Sequence, residues 1–192
     1  MQRLYDEDGN MALYKNKYRI ESARLKGWDY RSAGHYFVTI CTWNREQFFG
    51  EVAEGEMCLS PIGEIAAQFW VEIPSHYTGV EMNDFVIMPN HVHGIIVIVS
   101  GAAETLRSTS LLNSKMSAIS PKAGSLGAIV RSYKSAVSHW ARSNGMTSFE
   151  WQARFYDHII RDEKSFNQIR RYIFDNPIKW ESDRENPANL YM

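Results

Sequence analysis

Two histidines separated by a single residue, His91 and His93, open the apolar run Gly94-Ile-Ile-Val-Ile-Val99. On an extended strand, residues two apart leave the same face. The pair therefore presents two imidazoles side by side, a donor set suited to a divalent cation. The structural alternative is a pair of core histidines, each satisfied by hydrogen bonds, because an unpaired polar group in a buried strand costs free energy. Pro89-Asn90 precedes the pair and makes a bend that exposes it. Tyr172 is the second candidate, one of ten tyrosines, a residue that mostly packs its ring and bonds its hydroxyl. It lies beside the apolar stripe Phe166, Ile169 and Ile173, not at its centre. Asn176 follows four residues later, one helical turn below on the same side. A phenol able to act as a nucleophile and an amide oxygen able to ligate a metal would then be neighbours. Tyr133, by contrast, falls inside the stripe Ile129, Val130 and Val137 and is expected in the core.

The elements that must position these groups are readable from period and punctuation. His35-Tyr-Phe-Val-Thr-Ile-Cys-Thr-Trp43 is β-branched and aromatic and predicts a strand. A glycine-containing turn follows near 50–55. Ser60-Pro61 then opens a helix to about Ile73, with Ile62, Ile65, Ala66, Phe69 and Trp70 on its core face. Phe85-Val-Ile-Met88 and His91–Val99 predict two further strands, the second apolar on both faces beyond residue 94 and so central. Residues 100–124 are rich in Ser, Ala and Gly without periodicity and read as a flexible loop. Residues 125–142 predict a helix, and Asp162 caps another, spanning 162–176 and stopped by Pro177. Strands and helices in this order imply an α+β fold, ferredoxin-like, with a central antiparallel sheet and helices packed mainly on one side.

The bulk properties exclude several classes. A length of 192 residues fits one domain over 1–192, with 1–30 as a basic lead-in. No apolar stretch approaches a membrane span, and MQRLYDEDGN lacks the apolar core of a signal peptide. Cys41 and Cys58 make no disulfide framework, so a reducing cytoplasm is the expected compartment. Net charge is −1, yet residues 1–100 hold 8 Lys/Arg against 13 Asp/Glu while 107–179 hold 12 against 5. That asymmetry is either ordinary surface variation or the footprint of a polyanion partner. Arg131, Lys134 and Arg142 form a helical stripe able to track phosphates, and Arg154 and Arg161 extend it. Trp43, Trp151 and Tyr156 are candidates for base stacking.

Met88-Pro89-Asn90-His91-Val92-His93 resembles the HUH motif of single-tyrosine transposases. Trp151-Gln152-Ala-Arg154-Phe155-Tyr156-Asp157-His158-Ile-Ile-Arg161 resembles the block before their catalytic helix, and Arg171-Tyr172-Ile173-Phe174-Asp175-Asn176-Pro177 is similar to their tyrosine motif. With Leu25–Tyr30, Tyr36–Thr42 and Leu126–Ser135, the resemblance spans about residues 19–180 in order, and it is to the REP-associated tyrosine transposases. It implies an HUH fold and single-stranded or hairpin DNA as substrate. It also implies Mg²⁺ or Mn²⁺ held by His91, His93 and Asn176, with Tyr172 as nucleophile forming a 5′-phosphotyrosine. Relatives outside this group often carry a glutamine at the position of Asn176. By ligand softness the same donors accept Zn²⁺.

A phenol of ordinary pKa about 10 needs help to ionise, which the cation and Arg170 or Arg171 would supply; both arginines are also candidate DNA contacts. His158 is expected to be structural or to support a ligand without binding metal itself. Three other readings remain: a relative that binds hairpins without cleaving, a ferredoxin-like nucleic-acid-binding module with structural histidines, and a metal-dependent hydrolase drawing a base from Glu81 or Asp84. Monomer and homodimer are equally compatible with the sequence.

Overall fold

The protein is described by a computed structural model, which covers residues 13–14, 17–18, 25–104, 122–183 and 185–187. Two-residue strands β1 (Leu13–Tyr14) and β2 (Lys17–Tyr18) pair with each other. The sheet that matters is four-stranded and antiparallel throughout. It consists of β3 (Gly34–Cys41), β6 (Tyr77–Met88), β7 (His91–Glu104) and β8 (Tyr156–Ile160), in the order β6-β7-β3-β8. Helix α1 (Pro61–His76) joins β3 to β6, and helix α2 (Leu126–Ser143) lies between β7 and β8. Strand–helix–strand, hairpin, helix and a fourth strand added beside the first is the ferredoxin-like topology expected above.

Three features differ in detail from the sequence reading. The fourth strand, β8, comes from a segment too short and too polar to declare a period. Gly50–Ala53 (β4) and Glu56–Leu59 (β5) pair as a hairpin where only a turn was expected. Strand β7 runs on to Glu104, so pairing with Tyr77 and Thr78 replaces the first residues of the expected loop; residues 105–121 of that loop lie outside the described residues.

Side-chain parity assigns each face of the sheet a separate role. Tyr36, Val38 and Ile40 of β3 and Val92, Ile96 and Ile98 of β7 point to one face, where they pack with α1 and α2 in the main core. Serine caps start both helices: Ser60 Oγ accepts from Gly63 N at 3.2 Å and Ser125 Oγ from Ala128 N at 3.3 Å. Helix α3 (Glu163–Asp175) packs on the other face, setting Phe166, Ile169 and Ile173 on Phe37, Ile95 and Ile160. Two helices thus cover one side and the third covers the side to which His91 and His93 point.

Gly94 interrupts the apolar run of β7 for a packing reason. The fully buried Trp70 ring of α1 lies directly on the strand there, and a Cβ on residue 94 would sit 2.3 Å from its Cζ2. Neither the strand centre nor the indole has room to retreat. Gly94→Ala is expected to destabilise the fold by about 1–3 kcal/mol through overpacking, read as a lower urea midpoint; a midpoint equal to wild type would show that the contact is soft.

Candidate metal and tyrosine site

The bend between β6 and β7 sets the site. Asn90 is fully buried, and its Nδ2 donates to two carbonyls, Arg45 O at 3.1 Å and Glu185 O at 2.8 Å. With both amide hydrogens committed, Oδ1 can only accept, so the 2.8 Å contact to His91 Nδ1 is an N–H donated by the imidazole. The proton of His91 is therefore on Nδ1, and its lone pair is on Nε2, the tautomer a metal ligand requires.

His93 follows on the same face. Its Nδ1 is 2.9 Å from Thr39 Oγ1, which the β3–β7 register places directly opposite. The imidazole stacks on Phe37 at 5.4 Å, and its centroid lies 4.3 Å from that of His91. Both histidines are essentially inaccessible to solvent, so the Pro89-Asn90 bend does not expose them as the sequence suggested; Trp180 of the returning chain and the Phe37 and Tyr172 rings pack against them.

Helix α3 brings the tyrosine to this pair. Asp162 caps it, accepting from Ser165 N at 2.7 Å, and its apolar stripe seats on the sheet. Tyr172, at the edge of that stripe, keeps 38% of its surface exposed while its hydroxyl lies 3.1 Å from His93 Nε2. Asn176 closes the helix, is 1% exposed, and its Oδ1 receives no hydrogen bond among the described residues. A buried amide oxygen left in that state is costly unless something else donates to it or is ligated by it.

After Pro177 the chain doubles back across the histidines, with Trp180 buried 6.1 Å from the His91 ring. This return also carries Asp183. The donor atoms of His91, His93 and Asp183 all lie within 4.8 Å of one another, a group of the size that holds one metal ion. Two imidazoles and a carboxylate suit Mn²⁺, Zn²⁺ or Fe²⁺ better than an all-oxygen cation, so the residues present fit a divalent transition metal. Asp183 was missed from sequence. No motif surrounds it, and only the backbone return after Pro177 brings it in.

A cleft of about 290 Å³ opens beside the tyrosine, lined by Thr39, His93, Tyr156, His158, Gln168 and Tyr172. A second, of about 490 Å³, shares Tyr156, His158 and Ser165 with it and reaches Arg161. His158 is exposed and lines both clefts.

The other basic candidates are dispersed. Arg131 and Arg142 are exposed on α2, across the sheet from the histidines. Arg154 is exposed in the segment before β8. Arg170 forms a 2.5 Å ion pair with Asp84, and Arg171 lies 3.7 Å from Asp175. Asp84, named above as a possible hydrolase base, is the carboxylate of that ion pair with Arg170. Trp43 and Tyr156 are exposed, whereas Trp151 packs against the main core and donates to Lys134 O.

Lys134 does not serve the phosphate-tracking stripe expected of it. Its ammonium turns inward, lies over the Trp151 ring, and donates to the Gln152 carbonyl. The helical period placed it correctly, but its long stem lets the head group reach back into the protein.

No family model matches the chain. A Haemophilus influenzae protein described only as uncharacterised is 42% identical over 163 residues, spanning 85% of this chain and 91% of that one. The chain belongs to the same family as that protein. Among solved structures it is similar to a REP-associated tyrosine transposase bound to a REP hairpin, with a TM-score of 0.53 and 20% identity over 84% of this chain and 74% of that one. The shared fold is thus the ferredoxin-like α+β architecture described above. Among the described residues, no helix is long and apolar enough to cross a membrane.

Two outcomes test the packing of this site. Asn90→Ala leaves two buried carbonyls and the His91 N–H without their partner and is expected to cost about 1–3 kcal/mol or more, measured by urea unfolding. Burial holds the Lys134 ammonium down to a pKa of about 8, from an ordinary 10.5. Below pH 8 the lysine is charged in both states and the desolvation cost is fully present. As pH rises from 8 to 10.5 the folded state sheds its proton first, so the cost is relieved. Wild type should therefore gain stability relative to Lys134→Met over that window; a constant difference would place the ammonium in solvent.

Proposed function

We propose that this protein is a metal-dependent single-strand DNA endonuclease and transposase that cleaves and rejoins DNA at hairpins through a tyrosine nucleophile. The observation that carries this reading is the Tyr172 hydroxyl at 3.1 Å from His93 Nε2. It places an accessible phenol against a histidine pair whose tautomer and burial suit metal binding. The fold shared with a transposase bound to a REP hairpin supports the same substrate class.

In this reading His91 and His93 hold Mn²⁺ or Mg²⁺, and the buried Asn176 oxygen is the candidate neutral donor beside them. The bound cation supplies electrostatic stabilisation of charge on the scissile phosphate. Tyr172 supplies the covalent chemistry. Its oxygen forms a bond to phosphorus as the P–O3′ bond breaks; the phenol loses its proton and the departing 3′ oxygen gains one. The products are a 5′-phosphotyrosine and a free 3′-hydroxyl, so one phosphodiester is exchanged for another and the reverse step rejoins DNA without a nucleotide cofactor.

The α3 stripe fixes the tyrosine backbone, and the T-shaped contact of its ring with Phe37, 6.1 Å between centroids, limits rotation. Because the hydroxyl lies beside the nitrogen through which His93 would hold the cation, the bound charge would favour the phenolate and so assist proton loss to solvent. Single-stranded DNA would enter along the joined clefts, with Tyr156 as a stacking surface and Arg161 meeting phosphate. Arg170 and Arg171 flank the tyrosine from the outer side of α3; with their carboxylate partners in place they serve as secondary contacts. Arg131, Arg142 and Arg154 would meet only DNA that extends beyond the cleft.

Covalent trapping tests this reading. Labelled hairpin oligonucleotides with single-stranded flanks are incubated with the protein and Mn²⁺ or Mg²⁺, then denatured and resolved. A metal-dependent protein–DNA band that Tyr172→Phe abolishes, with DNA binding retained, is the expected result. An adduct surviving Tyr172→Phe would remove Tyr172 from the reaction. Hairpin binding without any adduct would favour a non-cleaving DNA-binding protein.

A further inference from the structure

We infer that Asp183 is a ligand of the metal site, and that the return after α3 bearing Trp180, Asp183, Glu185 and Asn186 is held across the histidines as the part of the site that supplies its negative charge. The inference rests on the reading that His91 and His93 bind a metal, and it adds a ligand that the histidine–tyrosine–asparagine pattern does not contain.

Distance comes first. Protein donors sit about 2.0–2.2 Å from a bound transition metal, so donors sharing one ion are about 3–4.4 Å apart. Donor atoms of His91, His93 and Asp183 already lie within 4.8 Å of one another, and a small closure completes the set.

The second argument is that the segment is anchored to this place. Glu185 forms an ion pair with Arg45, accepts the Cys41 thiol at 3.6 Å, and gives its carbonyl to Asn90 Nδ2 at 2.8 Å. Its N–H donates to Asp183 Oδ1 at 2.6 Å, which orients the carboxylate. Asn186 Nδ2 donates to Trp180 O at 3.0 Å and closes the loop on itself. The same Asn90 amide that fixes the His91 tautomer thereby fixes the segment bearing Asp183.

Third is burial. Asp183 is 9% exposed beside two neutral imidazoles. A divalent cation on the adjacent lone pairs would meet that carboxylate in a site closed to water, where their attraction is little screened. Glu185, also buried, forms its ion pair with Arg45.

Mn²⁺ affinity of the full-length protein decides the matter, measured without DNA by electron paramagnetic resonance of the unbound ion. Asp183→Ala is expected to weaken binding tenfold or more. Asp183→Asn, which keeps the oxygen facing Glu185 N but loses the charge, should fall between. His91→Ala locates the binding, and melting curves without metal establish that each variant folds; should Asp183→Ala fail to fold, Asp183→Asn carries the test. Affinities within twofold of wild type for the folded Asp183 variants would overturn the inference, as would wild-type binding that His91→Ala leaves intact. The covalent adduct is scored separately. Asp183-dependent Mn²⁺ binding without any wild-type adduct would sink the transposase reading and leave this ligand standing, whereas an adduct with Asp183-independent binding would do the opposite.

Discussion

The amide of Asn90 is the constraint on which the site depends. A buried primary amide has two donors and one acceptor oxygen, and here each is used in a different direction. One hydrogen holds the Arg45 carbonyl, in a turn where Asn44 and Arg45 both have positive φ. The other holds the Glu185 carbonyl, in the chain that returns after α3. The oxygen takes the His91 Nδ1 proton. Three segments distant in sequence are thus tied to one side chain, and the protonation of the first histidine follows from the amide's orientation. An aspartate could not donate to the two carbonyls, and an aliphatic residue would satisfy none of the three. Few hydrogen bonds in the molecule have so many consequences for so little structure.

Strand register then distributes the chemistry. Thr39 is opposite His93 and Cys41 is opposite His91, so the face holding the imidazoles also receives a hydroxyl at hydrogen-bond distance. The opposite parity of the same strands is aliphatic and aromatic and takes α1 and α2. A slip of one residue in β7 would bury the imidazoles under Trp70 and expose Val92 and Ile96 to α3. The full apolar cover on the far face penalises that slip, so the main core, which includes neither the histidines nor Tyr172, enforces the position of both histidines. On the near face α3 needs only a narrow stripe, Phe166, Ile169 and Ile173. Its narrowness leaves Tyr172 at the edge with its ring packed and its hydroxyl accessible.

Period and punctuation made much of this legible. The β7 parity, the Ser60 and Asp162 caps and the α3 stripe each rest on neighbours within about four residues, and each sits where the sequence put it. The co-location of Tyr172 with His93 was legible only through the resemblance to tyrosine transposases, because nothing local joins positions 79 residues apart. β8 escaped notice because its five residues, Tyr156-Asp-His-Ile-Ile160, carry charge and lie at a sheet edge where only one neighbour pairs. Lys134 misled for another reason: helical spacing fixes where a Cα lies but not where a four-carbon stem turns its head group. The tail escaped for want of any period at all. Ser182-Asp183-Arg184-Glu185-Asn186 reads as a solvated polar run, yet Asp183, Glu185 and Asn186 are among the buried polar residues.

That burial bears on how the second half of the chain uses its charge. A surplus of basic residues over 107–179 suggested one cationic face. In three dimensions Arg131 and Arg142 stand behind the sheet, Lys134 is turned inward, and Arg170 and Arg171 face carboxylates on or near their own helix. What lies nearest the tyrosine is a smaller set: the two imidazoles and, within 4.8 Å of their donor atoms, the Asp183 carboxylate, with the buried Asn176 amide oxygen as the proposed further donor. With neutral histidines and a divalent cation this set carries a net charge of +1, whereas the amide alone would leave +2. The lower charge attracts a phosphate less strongly but retains the cation when no phosphate is present. In the proposed reading the grip on DNA would fall to the open clefts along β8, one lined by Tyr156 and Arg161 and the other by Tyr156 and Tyr172.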